Sequence, residues 1–394
     1  MSNVELGEIC NILNGFAFKS NNYVKEGIRV IRIANVQKGE IVDNDPQFYP
    51  VSTKKEIAKY ILFENDLLIS LTGNVGRVGI LPKSLLPAAL NQRVACLRIK
   101  NNNIVDEKYL FNILNSDYFE HQCILNSQGI AQKNMSTEWL KSFSIFLPNI
   151  ERQREVAAVL DKASELIEKR KEQLRELDTL AESVFYDMFG DPVTNPKGWK
   201  KGQLGDVCKS VNYGTSSPAN CNGRYKYLRM GNITYGGELD FSDLKHIDVS
   251  EKDFEKYVVR KGDILFNRTN SKELVGKTAY FNIDEEMIIA GYIIRVRINN
   301  SCSSVFVSKY LNTKYIKVHL RDLCKSIIGQ ANINAKELQS IPIYFPPLEL
   351  QQQFATIIGK IEEQKAKVKE SLKESEDLFQ RLMQDMFNPQ HYKK

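Results

Sequence analysis

Two stretches of the chain place apolar residues at alternating spacings of four and three. The first runs Val156, Leu160, Ala163, Ile167, Arg170, Leu174, Leu177, Ala181, Val184, Met188; the second repeats the register as Phe354, Ile358, Ile361, Lys365, Val368, Leu372, Ser375, Phe379, Leu382, Met386. A period near 3.5 sustained this long predicts helices that pack along a seam, most simply on each other as a coiled coil. Pro148 and Pro346-Pro347 stand just upstream, where proline can begin a helix, and Gly190 with Pro192, and Pro389 after Asn388, close the two runs. A globular stretch separates the helices, so an antiparallel pair is the simplest geometry. At about 1.5 Å per residue each helix would span roughly 55 Å. Arg170, Lys365 and Ser375 break the seam, either to set its register or as side chains that snorkel out of it.

The rest of the pattern is different. Short β-branched or apolar runs at 29–33, 66–71, 94–99 and 144–147, and again at 225–229, 263–267, 288–298 and 341–345, read as strands, with helical stretches near 107–126 and 307–326. Each half is therefore a mixed α/β module. The halves are copies: Leu6-Gly7-Glu8-Ile9-Cys10 returns as Leu204-Gly205-Asp206-Val207-Cys208, and Asp187-Met188-Phe189 as Asp385-Met386-Phe387. The helices have drifted least, keeping Pro148/Pro346, Glu151/Glu349, Gln153/Gln351 and Leu174/Leu372. In the modules only tags survive, such as Arg32-Ile33-Ala34-Asn35 against Arg229-Met230-Gly231-Asn232. The predicted architecture is α/β: a module at 1–148, a helical spacer at 149–190, a second module at 200–346 and a second spacer at 347–388.

Charge refines this division. Lys+Arg minus Asp+Glu is 16−14 = +2 for residues 1–150 and 22−15 = +7 for 200–348, whereas the helices at 151–187 and 349–387 carry 7−10 = −3 and 6−8 = −2. A polyanion would meet the modules, although a total of +9 also suits an ordinary solvated surface. No apolar run approaches the roughly 20 residues of a membrane span, and the polar start does not read as a signal peptide, so a cytoplasmic protein without membrane contact is expected. Seven cysteines (10, 96, 123, 208, 221, 302, 324) without paired spacing read as reduced, mostly buried thiols.

Loops between the strands are rich in hydrogen-bonding side chains. The first module offers Lys19, Ser20 and Asn22; Thr72, Asn74 and Arg77; Gln92 and Arg93; and Gln132, Lys133 and Asn134. The second offers Thr215 and Ser216; Asn267, Arg268, Thr269, Asn270 and Lys272; and Gln330, Asn332 and Asn334. Arg, Lys, Asn and Gln match base edges, and Ser, Thr and backbone amides suit phosphates, so these are candidate DNA-binding residues. The plainer reading of any one loop is that Asn, Ser and Gly fill its turn.

Signals for catalysis are poor. Val275-Gly276-Lys277-Thr278 imitates the end of a phosphate-binding loop, but Ser271 stands where its first glycine is required. The stretch from Gly73 to Gly79 lacks nucleotide-fingerprint spacing. Histidines 121, 246, 319 and 391 show no metal spacing, and no Asn/Asp-Pro-Pro-Tyr motif for amino methylation is present.

The order module, helix, module, helix resembles the specificity subunit of type I restriction-modification systems. The tags that carry the resemblance are the Leu-Gly-Glu/Asp-Ile/Val-Cys opening of each half, Asp66-Leu67-Leu68-Ile69-Ser70 with Gly262-Asp263-Ile264-Leu265, and Leu147-Pro148-Asn149-Ile150-Glu151-Arg152-Gln153 with Phe345-Pro346-Pro347-Leu348-Glu349-Leu350-Gln351. The resemblance covers the whole chain. It implies two target-recognition domains that each read half of a split, asymmetric site on double-stranded DNA, with the helices as the ruler for the gap. It further implies a methyltransferase subunit and restriction/translocase subunits as partners, and the charged outer faces repeated on the two helices would each dock one methyltransferase, giving two copies. The subunit itself would be non-catalytic and without cofactor, S-adenosylmethionine, ATP and Mg belonging to the partners. The alternatives are a two-headed coiled-coil scaffold that does not bind DNA and a fragment of a single-chain restriction-methylation enzyme.

Overall fold

The computed structural model describes residues 2–127, 133–324 and 331–387. Two 40-residue helices, Ile150–Phe189 and Leu348–Phe387, dominate it. The chain packs as two compact units: Met1–Lys171 joined by the chain from Lys369 onward, and Glu172–Val368. Each unit thus combines one module with part of both long helices.

In the first unit, two four-stranded sheets form the module. One has the order Cys10–Asn14, Val94–Ile99, Leu67–Ser70, Val78–Ile80, all antiparallel; the other has Phe48–Tyr49, Ile28–Ile31, Ala88–Leu90, Ile61–Leu62, with one parallel pairing between Ile28–Ile31 and Ala88–Leu90. Leu67–Ser70 is buried along its whole length, as a strand covered on both faces must be. Helices Glu107–Leu114 and Asp117–Leu125, N-capped by Asp106 and Ser116, lie over the core. Val156, Ala157 and Leu160 of one long helix and Met383 and Phe387 of the other enter the same apolar cluster as Tyr109 and Phe119. Arg170 donates from Nε to Ser375 Oγ at 3.1 Å, so within this unit the helices run antiparallel.

The second unit repeats the plan. Its sheets run Cys208–Tyr213, Ile293–Ile298, Ile264–Asn267, Thr278–Tyr280, and Lys245–Ile247, Tyr225–Leu228, Met287–Ile289, Val258–Val259. The apolar run 288–298, expected as one strand, is two: the chain turns at Ala290, Gly291 and Tyr292 and passes from one sheet to the other. Continuous hydrophobicity cannot reveal such a corner, because both strands are buried. The helical stretch near 307–326 is likewise two helices, Ser304–Leu311 and Lys314–Leu323, the second capped by Thr313. Phe185 and Phe189 stack into Phe306, Tyr310 and Phe354, and Lys365 reaches Asp178 at 2.5 Å, so the helices are antiparallel here as well. Gly190, at φ +78, ends the first helix as its position predicts; Pro389 lies outside the described residues.

The surviving tags hold the frame. Gln153 is fully buried; its Oε1 accepts from Asp106 N at 2.8 Å and its Nε2 donates to Ile104 O and Pro148 O. Gln351 does the same with Ser303 N and Pro346 O. One amide thereby ties each long helix to its module, and an unpaired buried amide would be costly. Asn35 and Asn232, also buried, each accept from the backbone of the arginine three residues earlier and donate to carbonyls of the following turn. Asp66 pairs with Arg98, and Asp263 with Arg297.

The seam-breaking residues have partners. Lys365, its side chain 4% exposed, pairs with Asp178 and Glu238 and lies 3.9 Å from Glu362. Five of the seven cysteines are buried and all are free thiols. No helix among the described residues is long and apolar enough to cross a membrane.

Candidate nucleic-acid interface

Four loops meet at one end of each pair of sheets, laced by backbone hydrogen bonds. In the first module Gln92 N donates to Phe16 O, Leu71 N to Arg93 O, Gly73 N to Lys133 O and Met135 N to Leu71 O, at 2.8–3.0 Å; Thr72 bridges Asn134. In the second, Gly291 N donates to Thr215 O, Arg268 N to Tyr292 O and Ile333 N to Arg268 O. There the bridge grows into a short ladder, Thr269–Asn270 against Ala331–Asn332. The structure therefore brings Thr72, Asn74, Gln92, Arg93, Lys133 and Asn134 together in one half, and Thr215, Arg268, Thr269, Asn270 and Asn332 in the other. Gln132 and Gln330 lie outside the described residues.

These side chains divide by exposure. Asn74, Gln92, Arg93, Lys133 and Asn134 are exposed in the first module, and Ser216, Lys272 and Asn332 in the second. Thr215, Asn267 and Thr269 are buried. Thr215 Oγ1 donates to Ser217 Oγ at 3.1 Å, and Asn267 Oδ1 accepts from Asn270 Nδ2, so both shape the loop from within. Asn334 caps the helix Ala335–Gln339 by accepting from Lys336 N and Glu337 N. Lys19 precedes the short helix Ser20–Asn22, where Asn22 donates to Tyr49 OH at 3.0 Å; Lys19 and Ser20 are exposed. Among the described residues no hydrogen bond ties that helix to the other loops.

Arg268 is held for contact. Its guanidinium lies 4.8 Å over the Tyr213 ring, whose hydroxyl accepts from Ala335 N, and its Nε is buried without a partner. An arginine stacked on an aromatic is pre-organised for planar polar recognition. Tyr213 and Tyr292 stand exposed around it. Neither tyrosine was among the candidates drawn from the sequence; the signal was Tyr292 at the place of Arg93, two residues after the bridging Asn91 or Ala290.

Both loops that follow the central strand are pinned to a helix by a glycine. Gly76 has φ +81 and a Cβ there would lie 2.7 Å from Cys123 Cβ; Gly276 has φ +78 and a Cβ would lie 2.4 Å from Leu320 Cδ1. The next residue, Arg77 or Lys277, is thereby carried under the helix. Arg77 donates to Gln37 Oε1 and Lys277 Nζ to Met230 O at 2.8 Å. Burial holds the Lys277 ammonium below its usual pKa. No cluster of three metal-ligating side chains occurs among the described residues.

Comparison with known proteins gives a consistent picture. The family model "Type I restriction modification DNA specificity domain" matches twice, over residues 1–177 and 196–375. The chain is 20% identical over 376 residues to the EcoKI specificity subunit of Escherichia coli K12, covering 90% of this chain and 80% of that one. It is 36% identical over 170 residues to the EcoAI specificity subunit of Escherichia coli, covering 41% of this chain and 28% of that one. The S subunit of the type I system from M. genitalium shares the fold with a TM-score of 0.57 at 15% identity, over 98% of this chain and 96% of that one. A chain from the structure titled as the basis of complex assembly and conformational transition of the type I R-M system gives 0.59 at 19% identity, with the same coverage.

Proposed function

The chain belongs to the type I restriction-modification DNA specificity family, and from that premise we propose that each module reads one half of a bipartite, non-palindromic DNA site through the loop cluster described above. The protein is the non-catalytic specificity subunit of its system and acts with DNA, methyltransferase and restriction subunits. The observation that carries the division of labour is the pair of loop clusters on matched strands with unmatched side chains: Arg93 against Tyr292, Gly73 against Asn270, Lys133 against Ala331. One frame with two sets of polar groups reads two different sequences, each good side-chain pairing being worth about 1–3 kcal/mol of discrimination.

The finer reading is that modules 1–148 and 200–346 are the target-recognition domains and that the helical spacers 149–190 and 347–388 fix the unread gap. Two methyltransferase subunits dock on the helices' exposed faces, one for each copy of the repeat, in the cytoplasm. Exchange of residues 1–150 for the corresponding module of a relative tests this. Methylated sites mapped in cells carrying the hybrid and its methyltransferase should change in one half-site only; a change in both would refute the division.

A further inference from the structure

One corner of the second unit holds cations that no described residue neutralises. Lys317, on the helix Lys314–Leu323, is 7% exposed, and Lys277 is 8% exposed. Lys317 Nζ reaches only carbonyls, Tyr235 O at 3.5 Å and Gly276 O at 3.4 Å, and lies 4.7 Å over the Tyr235 ring. Arg321, one turn on, donates to Tyr235 OH at 3.1 Å. Among the described residues no carboxylate pairs with Lys277, Lys317 or Arg321. Glu273, exposed, lies within electrostatic range of Arg321 and Lys272, and Asp322, also exposed, follows Arg321 on the helix. Glu238, three residues after Tyr235, turns instead to Lys365.

The fold keeps this arrangement at a cost. Burial first, then the neighbouring charges of Lys277 and Arg321, pushes Lys317 down to about 8. Buried cations are ordinarily paired, and two buried lysines without a counter-charge, with the exposed Arg321 sharing Tyr235 with one of them, describe a place for an anion. The first unit does not share the feature. At the places of Tyr235, Lys277 and Lys317, counted from the buried asparagine, the pinned glycine and the helix cap, it has Lys38, Arg77 and Glu120, and there Lys38 pairs with both Asp117 and Glu120.

We propose that Lys277, Lys317 and Arg321, framed by Tyr235, form a phosphate oxyanion site present in the second half only, and that its occupant is a phosphodiester of the DNA backbone. The inference rests on the DNA-reading function above and adds an interaction that fixes the second module on the duplex without reading sequence. Lys277, in the stretch that imitates a nucleotide-binding loop, serves the same kind of group by side-chain charge rather than by a backbone cradle.

The test uses the full chain with a mixed-sequence duplex, and compares the wild type with Lys317→Met and with the double variant Tyr235→Lys/Lys317→Glu, which installs the ion pair of the first unit. Removing the phosphate interaction should lower the slope of log affinity against log salt by about 0.9. The wild type should also take up a proton on binding duplex near pH 8, seen by calorimetry in buffers of different ionisation enthalpy, and both variants should not. In a second arm, inorganic phosphate replaces chloride at equal ionic strength; it should raise the Tm of the wild type but not of the double variant. Phosphate protection with an unchanged DNA slope would refute the backbone as occupant and assign the site to free phosphate. Unchanged slope, no proton uptake and no phosphate protection would overturn the site altogether. A wild-type chain that binds no duplex, with or without its methyltransferase, would instead overturn the DNA reading, while the phosphate arm would still judge the corner.

Discussion

The two units solve the same corner in opposite ways. In the first, the helix Asp117–Leu125 turns Asp117 and Glu120 toward the Arg-x-x-Asn turn, and Lys38 meets them at 2.7 and 2.8 Å. In the second, the equivalent helix Lys314–Leu323 carries Lys314, Lys317 and Arg321 against one Asp322, and the residue at the place of Lys38 is Tyr235. The backbone beneath is unchanged: Asn35 and Asn232 close the same turn, Gly76 and Gly276 let the same loop approach, and Ser116 and Thr313 cap the helix. What the frame requires is therefore a short list of backbone-directed groups. The charges hung on it can reverse without disturbing the fold, which is how one architecture comes to present two different surfaces.

A third lysine sharpens the contrast and carries the largest expected effect. Lys365 is as buried as Lys317, but Asp178, Glu238 and Glu362 surround it. Burial alone would lower its pKa, yet the hydrogen bonds that it donates to Asp178 and Glu238 outweigh that and raise it. Lys365→Met should destabilise the protein by about 3 kcal/mol, because it removes a buried cation that Asp178 and Glu238 both pair with. Urea unfolding measures this. A loss under about 0.5 kcal/mol would mean that water already satisfies the carboxylates and that the two lysines do not differ in kind.

Lys317→Met should act in the opposite direction. A fall from 10.5 to about 8 disfavours the buried ammonium by at most about 3 kcal/mol, and relaxation around the site reduces the gain expected from its removal to about 1–2 kcal/mol at pH 7. The sign follows from proton counting. Between about pH 8 and 10.5 the unfolded chain holds a proton on this lysine that the folded chain does not, so stability rises with pH across that window and the penalty is complete below it. Wild type should gain stability between pH 8 and 10 relative to Lys317→Met. Parallel pH profiles for the two would show that the ammonium is well solvated and that the corner costs nothing.

Little of this contrast could be read before the structure. The frame was legible: the 3.5-residue period from Val156 to Met188 and from Phe354 to Met386 falls within the long helices Ile150–Phe189 and Leu348–Phe387, and the paired tags marked Gln153/Gln351 and Asn35/Asn232 as common to both halves. The loop residues were legible as a set, because turns rich in Asn, Ser and Arg fell at matched places. Their individual roles were not. Asn334 and Arg268 look alike as polar loop residues, but one is consumed by a helix N-terminus and the other is stacked on Tyr213 with a free Nε. Lys317 was invisible for another reason: a lysine on an amphipathic helix reads as solvated, and only the approach allowed by Gly276 buries it. Comparing the two copies helix against helix, 117–125 with 314–323, would have exposed the charge reversal.

The smallest expected effect lies in the first unit. Lys38 is partly buried, which would lower its pKa, but its hydrogen bonds to Asp117 and Glu120 raise it on balance. Its contribution is therefore present below the unfolded value of 10.5 and is lost as pH climbs through the higher folded value. The side chain is 43% exposed and Asp117 60%, so water screens much of the attraction. Lys38→Met should cost no more than about 1 kcal/mol, and less again in 0.5 M salt, where the screening length falls to about 4 Å. Unfolding at low and high salt measures both quantities. Should Lys38→Met cost as much as Lys365→Met, the pair would be holding the corner together, and the neutral corner of the first unit would owe its charge balance to stability. A small, salt-sensitive loss would instead leave charge cancellation as the pair's main effect: it removes from the first half the anion seat that the second half keeps.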